Sequence, residues 1–179
     1  ISSFENRPLP EIDALYIGGG FPETQAQALA DNVTFRKALK EDIEAGLPVY
    51  AECGGFMYLC DKLITKQGIA HDMVGCFPFA CRMKDRLSAL GYRVIRLSDT
   101  TPLGKKGLTA RGHEFHYSRI VPDPAPEVRM AFRVSRGSGM AGQREGLLFR
   151  NVLATYTHLH ALGCPQWARA LVRRALDDL

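Results

Sequence analysis

Short apolar runs alternate with longer amphipathic stretches along this chain, and the alternation predicts strands and helices in turn, hence an α/β layered fold with a mostly parallel sheet. Ala14 to Ile17 is an apolar run that ends at Gly18, Gly19 and Gly20, the pattern of a buried strand breaking into a glycine turn. From Thr24 to Ala45, Ala28, Leu29, Phe35, Leu39 and Ile43 recur at the spacing by which a helix packs one face on a sheet, and Gly46 and Pro48 end it. Pro48 to Ala51 predicts the next strand, and Phe56 to Lys62 a helix begun behind Gly54 and Gly55. From Cys76 to Ile120 the signals are those of antiparallel or irregular strands and loops. Ala131 to Arg136 and Gly146 to His160 predict two further strands, the second long. Pro165 to Leu179 closes with a helix carrying Trp167, Ala168, Leu171, Val172, Ala175 and Leu176 on one face. The polar, proline-containing stretch before Ile12 reads as a linker over residues 1–11, which sets the folded domain at 12–179.

Composition narrows the class. With 179 residues, 46% of them hydrophobic and 23% charged, one sizeable core is expected. The net charge of +4 is spread along the chain instead of gathered in a basic block, so neither nucleic acid nor membrane is expected as a partner. No apolar run approaches the roughly 18 residues of a membrane span, and no signal peptide is recognisable, so a soluble, cytoplasmic protein is expected. Five cysteines without a C-x-x-C pair argue against a disulfide scaffold and a thiolate metal site, and no phosphate-binding G-x-x-x-x-G-K-[ST] occurs.

The sharpest local signal is Ala51-Glu52-Cys53-Gly54-Gly55, a cysteine between a buried strand and a helix with glycines behind it. Such a turn lifts a nucleophile above the sheet edge, and the helix N-terminus that follows favours the thiolate, the reactive form. A buried cysteine serving as small apolar filler is the plain alternative. Gly18 to Gly20 would emerge at the same sheet edge, where backbone amides can form an oxyanion hole, although a tight turn alone would explain them. His158 and His160 alternate onto one strand face within reach of a neighbouring strand end, as a base or as structural histidines. In Arg111 to Ser118 the alternation sends Glu114, His116 and Ser118 one way and His113, Phe115 and Tyr117 the other, offering one polar row to a ligand or a facing domain, or merely to water. His113 and His116 lack the helical spacing of a zinc pair, so no metal is expected. Gly137 to Gly142 fits G-x-G-x-x-G, but no helix pattern follows, and the segment reads as a hairpin loop.

Taken together, Asp13 to Glu23, Pro48 to Gly55, Gly112 to Ser118 and Ala154 to His160 resemble, in order and spacing, the cobalamin-pathway branch of class I glutamine amidotransferases. The likeness is greatest to the C-terminal glutaminase domains of the cobyrinic (hydrogenobyrinic) acid a,c-diamide synthases. That resemblance implies a flavodoxin-like three-layer α/β sandwich in which Cys53 attacks the amide of glutamine, Gly19, Gly20 and Gly54 hold the oxyanion, and His158 is the base. Where the wider class has a carboxylate two residues after that histidine this chain has His160, which implies a Cys–His dyad with His160 at most in support. It further implies no cofactor in this domain, ATP and magnesium in an N-terminal synthetase domain, and a corrinoid acceptor reached through that domain; the polar row Glu114, His116 and Ser118 is expected, on its own chemistry, to face that domain or the corrinoid carboxylates. A glutaminase domain of cobyric acid synthase or of another amidotransferase, and a catalytically silent docking domain, stand as alternatives.

Overall fold

The computed structural model describes residues 1–101, 104–122 and 128–177. The first apolar run forms β1 (Leu15–Ile17), followed by a short 3-10 turn, Pro22–Gln25. The helical stretch expected as one piece is broken at Asn32 into α1 (Ala26–Asp31) and α2 (Val33–Ala45). Asn32 leaves helical geometry at φ −79°, ψ 59°, and its buried amide donates to the Ser3 carbonyl. Leu29, Phe35, Leu39 and Ile43 are buried as their spacing predicts, whereas Ala28 faces outward. Gly46 closes α2 in the left-handed region at φ 116°. Residues 1–11, expected as a linker, lie against the domain: Asn6 Oδ1 accepts the Thr34 N–H at 3.0 Å and Leu9 packs on the core.

The next unit is β2 (Val49–Glu52), Cys53 and α3 (Gly54–Leu59). The helix stops there instead of reaching Lys62, because the chain extends into β3 (Cys60–Ile64), where Leu63 is buried opposite Cys81; tertiary pairing overrides local helix preference. The elements β4 (Ala70–Asp72), β5 (Phe77–Met83), β6 (Ala89–Leu97), β7 (Thr109–His116), β8 (Ser118–Val121) and β9 (Arg129–Arg136) follow. The single long strand expected up to His160 is three: β10 (Arg144–Phe149), β11 (Val152–Thr155) and β12 (His158–Leu159). A two-residue turn at Arg150 and Asn151, with Arg150 at φ 51°, folds β10 back onto β11. Gly137 to Gly142 lies in the connection between the paired strands β9 and β10, as a hairpin loop should. In α4 (Trp167–Asp177), Leu171 is buried, but Val172 and Leu176 turn to the surface.

Eight strands form one sheet in the order β1-β2-β11-β10-β9-β6-β7-β12, and four form another, β4-β3-β5-β8. The α/β class is as expected, but parallel pairing is confined to β1 with β2, β2 with β11, and β3 with β5, and the other pairs among the described residues are antiparallel. Tight connections such as those around β10 permit no other pairing. Strand β2 is the middle layer: Val49 and Ala51 enter the core shared with α2 and α3, while Tyr50 enters the one shared with Ile95, Phe132 and Leu171. Only Tyr156 and Thr157 separate β11 from β12, yet β12 occupies the far edge beside β7, so the sheet curls until its two edges meet. A Cβ built on Gly19, just past β1, would lie 2.4 Å from Cε1 of His158.

Candidate active site

Cys53 stands where the buried strand β2 gives way to α3, at φ 46° and ψ −99°. A non-glycine residue holds such a backbone only when its surroundings enforce it. The Cys53 N–H donates to the Thr155 carbonyl at 2.7 Å, which fixes the turn to the end of β11. The thiol is almost wholly covered and donates to the Phe115 carbonyl at 3.7 Å instead of pairing with a histidine. Contrary to the expectation of a depressed thiol, burial pushes Cys53 up to about 12, the Gly54 N–H opposes that rise, and the negative charge of Glu23 adds to it. The helix behind it has only six residues, too small a dipole to outweigh desolvation.

The glycines bring this turn to the end of β1. A Cβ on Gly54 would lie 2.7 Å from both N and O of Gly20, so only hydrogen at Gly54 lets the two backbones touch. His158 continues the contact from the other side through Gly19. Gly19, Gly20, Gly54, Cys53 and His158 therefore gather where the two sheet edges meet. A cavity of about 370 Å³ lies beside the same glycine turn, but neither Cys53 nor His158 lines it.

His158 Nδ1 is 3.8 Å from Oε2 of Glu52, and its ring stacks on His113 with centroids 4.8 Å apart. Glu52 is buried and held from three directions: Tyr16 Oη donates to Oε2 at 3.0 Å, Tyr50 Oη to Oε1 at 2.7 Å, and the Leu159 N–H to Oε1 at 2.9 Å. Burial lowers the His158 pKa, Glu52 opposes this, and His113 and His116 add to it. Sequence reasoning gave Glu52 no role. The signal was there, since a carboxylate inside a fully buried strand requires built-in partners. His160, expected to share a face with His158, lies beyond β12 on the surface, where its Nδ1 accepts the Leu162 N–H at 3.2 Å. The turn takes it out of strand alternation.

The row Glu114, His116 and Ser118 alternates as expected but turns inward: the three are 6%, 8% and 0% exposed. Glu114 pairs with Arg93 and, at 2.8 Å, with Nε2 of His116, whose Nδ1 donates to the Ser118 carbonyl. Ser118 Oγ bonds Tyr156 Oη at 2.7 Å. These groups line a cavity of about 250 Å³. His113 lies on the opposite, exposed face of β7, which rules out a shared metal for His113 and His116. Arg93 also pairs with Glu145, a residue overlooked in the sequence, whose Oε1 accepts Thr155 Oγ1 and the N–H groups of Tyr156 and Thr157. That cradle holds the bend leading into His158.

Residues 1–165 match the model of the CobB/CobQ-like glutamine amidotransferase domain. Curated relatives include the cobyrinate a,c-diamide synthases of Archaeoglobus fulgidus, 43% identical over 98% of this chain, and of Magnetococcus marinus, 38% identical over 96%. This chain spans 38% and 36% of their respective lengths. Among solved structures, a glutamine amidotransferase superposes with a TM-score of 0.63 at 17% identity, over 91% of this chain and 79% of that one. The PurLQS structure from Thermotoga maritima also reaches 0.63, at 16% identity over 96% and 82% of the two chains. These likenesses establish the shared fold. With the family model covering nearly all of its length, the chain belongs to the CobB/CobQ-like glutamine amidotransferase domains.

Proposed function

We propose that the chain hydrolyses glutamine through a thioester on Cys53 and supplies ammonia for ATP-dependent amidation of the a and c carboxylates of cobyrinic or hydrogenobyrinic acid. The observation that carries this reading is the strained turn that presents Cys53 beside the backbones of Gly20 and Gly54, with His158 adjoining through Gly19. Sγ gives its proton to the neutral His158 as it attacks the side-chain carbonyl carbon, and the amides of Gly54 and of Gly19 or Gly20 receive the oxyanion, each worth about 3 kcal/mol in comparable acyl transfers. As the C–N bond breaks, His158 gives its proton to the departing nitrogen. It then takes one from water, whose oxygen attacks the thioester; the C–S bond breaks, His158 returns that proton to Sγ, and glutamate leaves. Glu52 orients His158 and steadies its charged form, completing a Cys–His–Glu set with a carboxylate from β2. The name shared by the curated relatives favours the a,c-diamide assignment over cobyric acid synthase. ATP and magnesium would act in the part of such a protein that this chain does not span, and no residue here is assigned to them.

In the full-length protein, Cys53→Ala should abolish glutamine-dependent amidation while sparing synthesis from free ammonia, which bypasses the thioester. Glutamine hydrolysis that survives the substitution overturns the assignment.

A further inference from the structure

One charged group beside the nucleophile has no work in the chemistry above. Glu23 lies in the 3-10 turn that follows the Gly18–Gly20 stretch, a turn packed against α3, whose first residue adjoins Cys53. Its Oε2 is buried and has no hydrogen-bond partner among the described residues. A buried carboxylate oxygen left without a partner is destabilising, and its persistence calls for an explanation. Every oxygen of Glu52, by contrast, is already engaged by Tyr16, Tyr50 and Leu159. Among the charges acting on the Cys53 thiol, Glu23 stands first, ahead even of Glu52, its neighbour in the chain.

We propose that Glu23 receives the α-ammonium group of the glutamine whose side-chain amide is cleaved at Cys53. The inference rests on the glutaminase reading above and names the group that would select an amino acid over a simple amide. A cation is the partner an orphaned carboxylate lacks, and the α-ammonium is the only cation glutamine carries. The same contact has a second effect. Without substrate, the charge of Glu23 opposes thiolate formation at Cys53. With the ammonium seated, that repulsion is neutralised, so the nucleophile becomes more reactive as the correct substrate arrives.

The test compares L-glutamine with glutaramate, the same amide lacking the α-amine, in the full-length protein and its Glu23→Gln variant, and follows alkylation of Cys53 by iodoacetamide in the absence of substrate. The parental protein is expected to favour glutamine by about 10- to 100-fold in kcat/KM, the range of a lost charge-assisted hydrogen bond. The variant should lose that preference through a raised KM for glutamine, while its Cys53 alkylates faster at a given pH. The variant should also keep the parental rate on glutaramate, which a general loss of structure, though it too would uncover the buried thiol, cannot do. A parental protein indifferent to the α-amine, or a variant that loses hydrolysis without faster alkylation, overturns the inference. A parental protein that hydrolyses glutamine while the variant keeps its KM overturns it and leaves the glutaminase reading intact. A parental protein that neither hydrolyses glutamine nor reacts at Cys53 with a glutamine-mimicking electrophile removes that reading, and this inference with it.

Discussion

At the scale of single residues, His158, the proposed base, is the group whose ionisation would set the acid limit of activity. Burial, with His113 and His116, holds His158 below its ordinary 6.5, and the Glu52 carboxylate opposes that fall. The histidine is therefore neutral, and able to accept a proton, at and somewhat below pH 6.5, so the acid limb of kcat/KM for glutamine should fall below that value. Glu52→Gln removes the upward influence and should shift the limb, and the NMR titration of His158, to still lower pH, with kcat reduced at least about tenfold. A titration midpoint that stays in place would detach Glu52 from His158. Cys53 and His158 stand out as candidates in the sequence because each sits in a short run with a chemical grammar of its own. Glu52 does not, because its contacts with the Leu159 N–H and the His158 ring depend on the sheet curling until β12 reaches it, and that return has no local signal. His160 misled for the same reason: alternation is a rule of strands, and β12 ends at Leu159.

At the scale of elements, the meeting of β1 and β12 makes Gly19 a position where side-chain volume is read directly by His158, the proposed base. Gly19→Ala would place its methyl 2.4 Å from Cε1 of His158, and the ring, not the backbone, must yield. The variant should fold with a melting temperature near that of the parent and lose glutamine hydrolysis by about 10²-fold, the lower range of a misplaced general base. A fully active variant would show that His158 need not lie against the glycine turn. The strand–cysteine–helix unit and the amphipathic face of α2 were readable from spacing alone. The boundary between α3 and β3 was not, since Phe56 to Leu63 is apolar at positions that suit either element, and pairing with β5 decides. Nor was the turn at Arg150 and Asn151, which lacks glycine and proline in an otherwise unbroken apolar run.

At the scale of the whole molecule, a buried charge network ties the antiparallel half of the large sheet to the reactive end. Arg93 on β6, 1% exposed, joins Glu114 on β7 to Glu145 on β10, and Glu145 cradles the bend before His158. Arg93→Met would strand two buried carboxylates and should lower stability by about 3–5 kcal/mol in a denaturant titration. A loss below about 1 kcal/mol would show that water reaches the network. Composition predicted one core, and the structure divides it on either side of β2, which a count of apolar residues cannot reveal. The curl of the sheet also bears on how the protein comes into being. Strand β2 gains its second neighbour only when β11 arrives, and the base follows on β12, about a hundred residues after the nucleophile. During synthesis the cysteine leaves the ribosome long before the histidine, so under the mechanism proposed above the nascent chain carries a nucleophile with no base, and the power to cleave an amide would arrive only as folding ends.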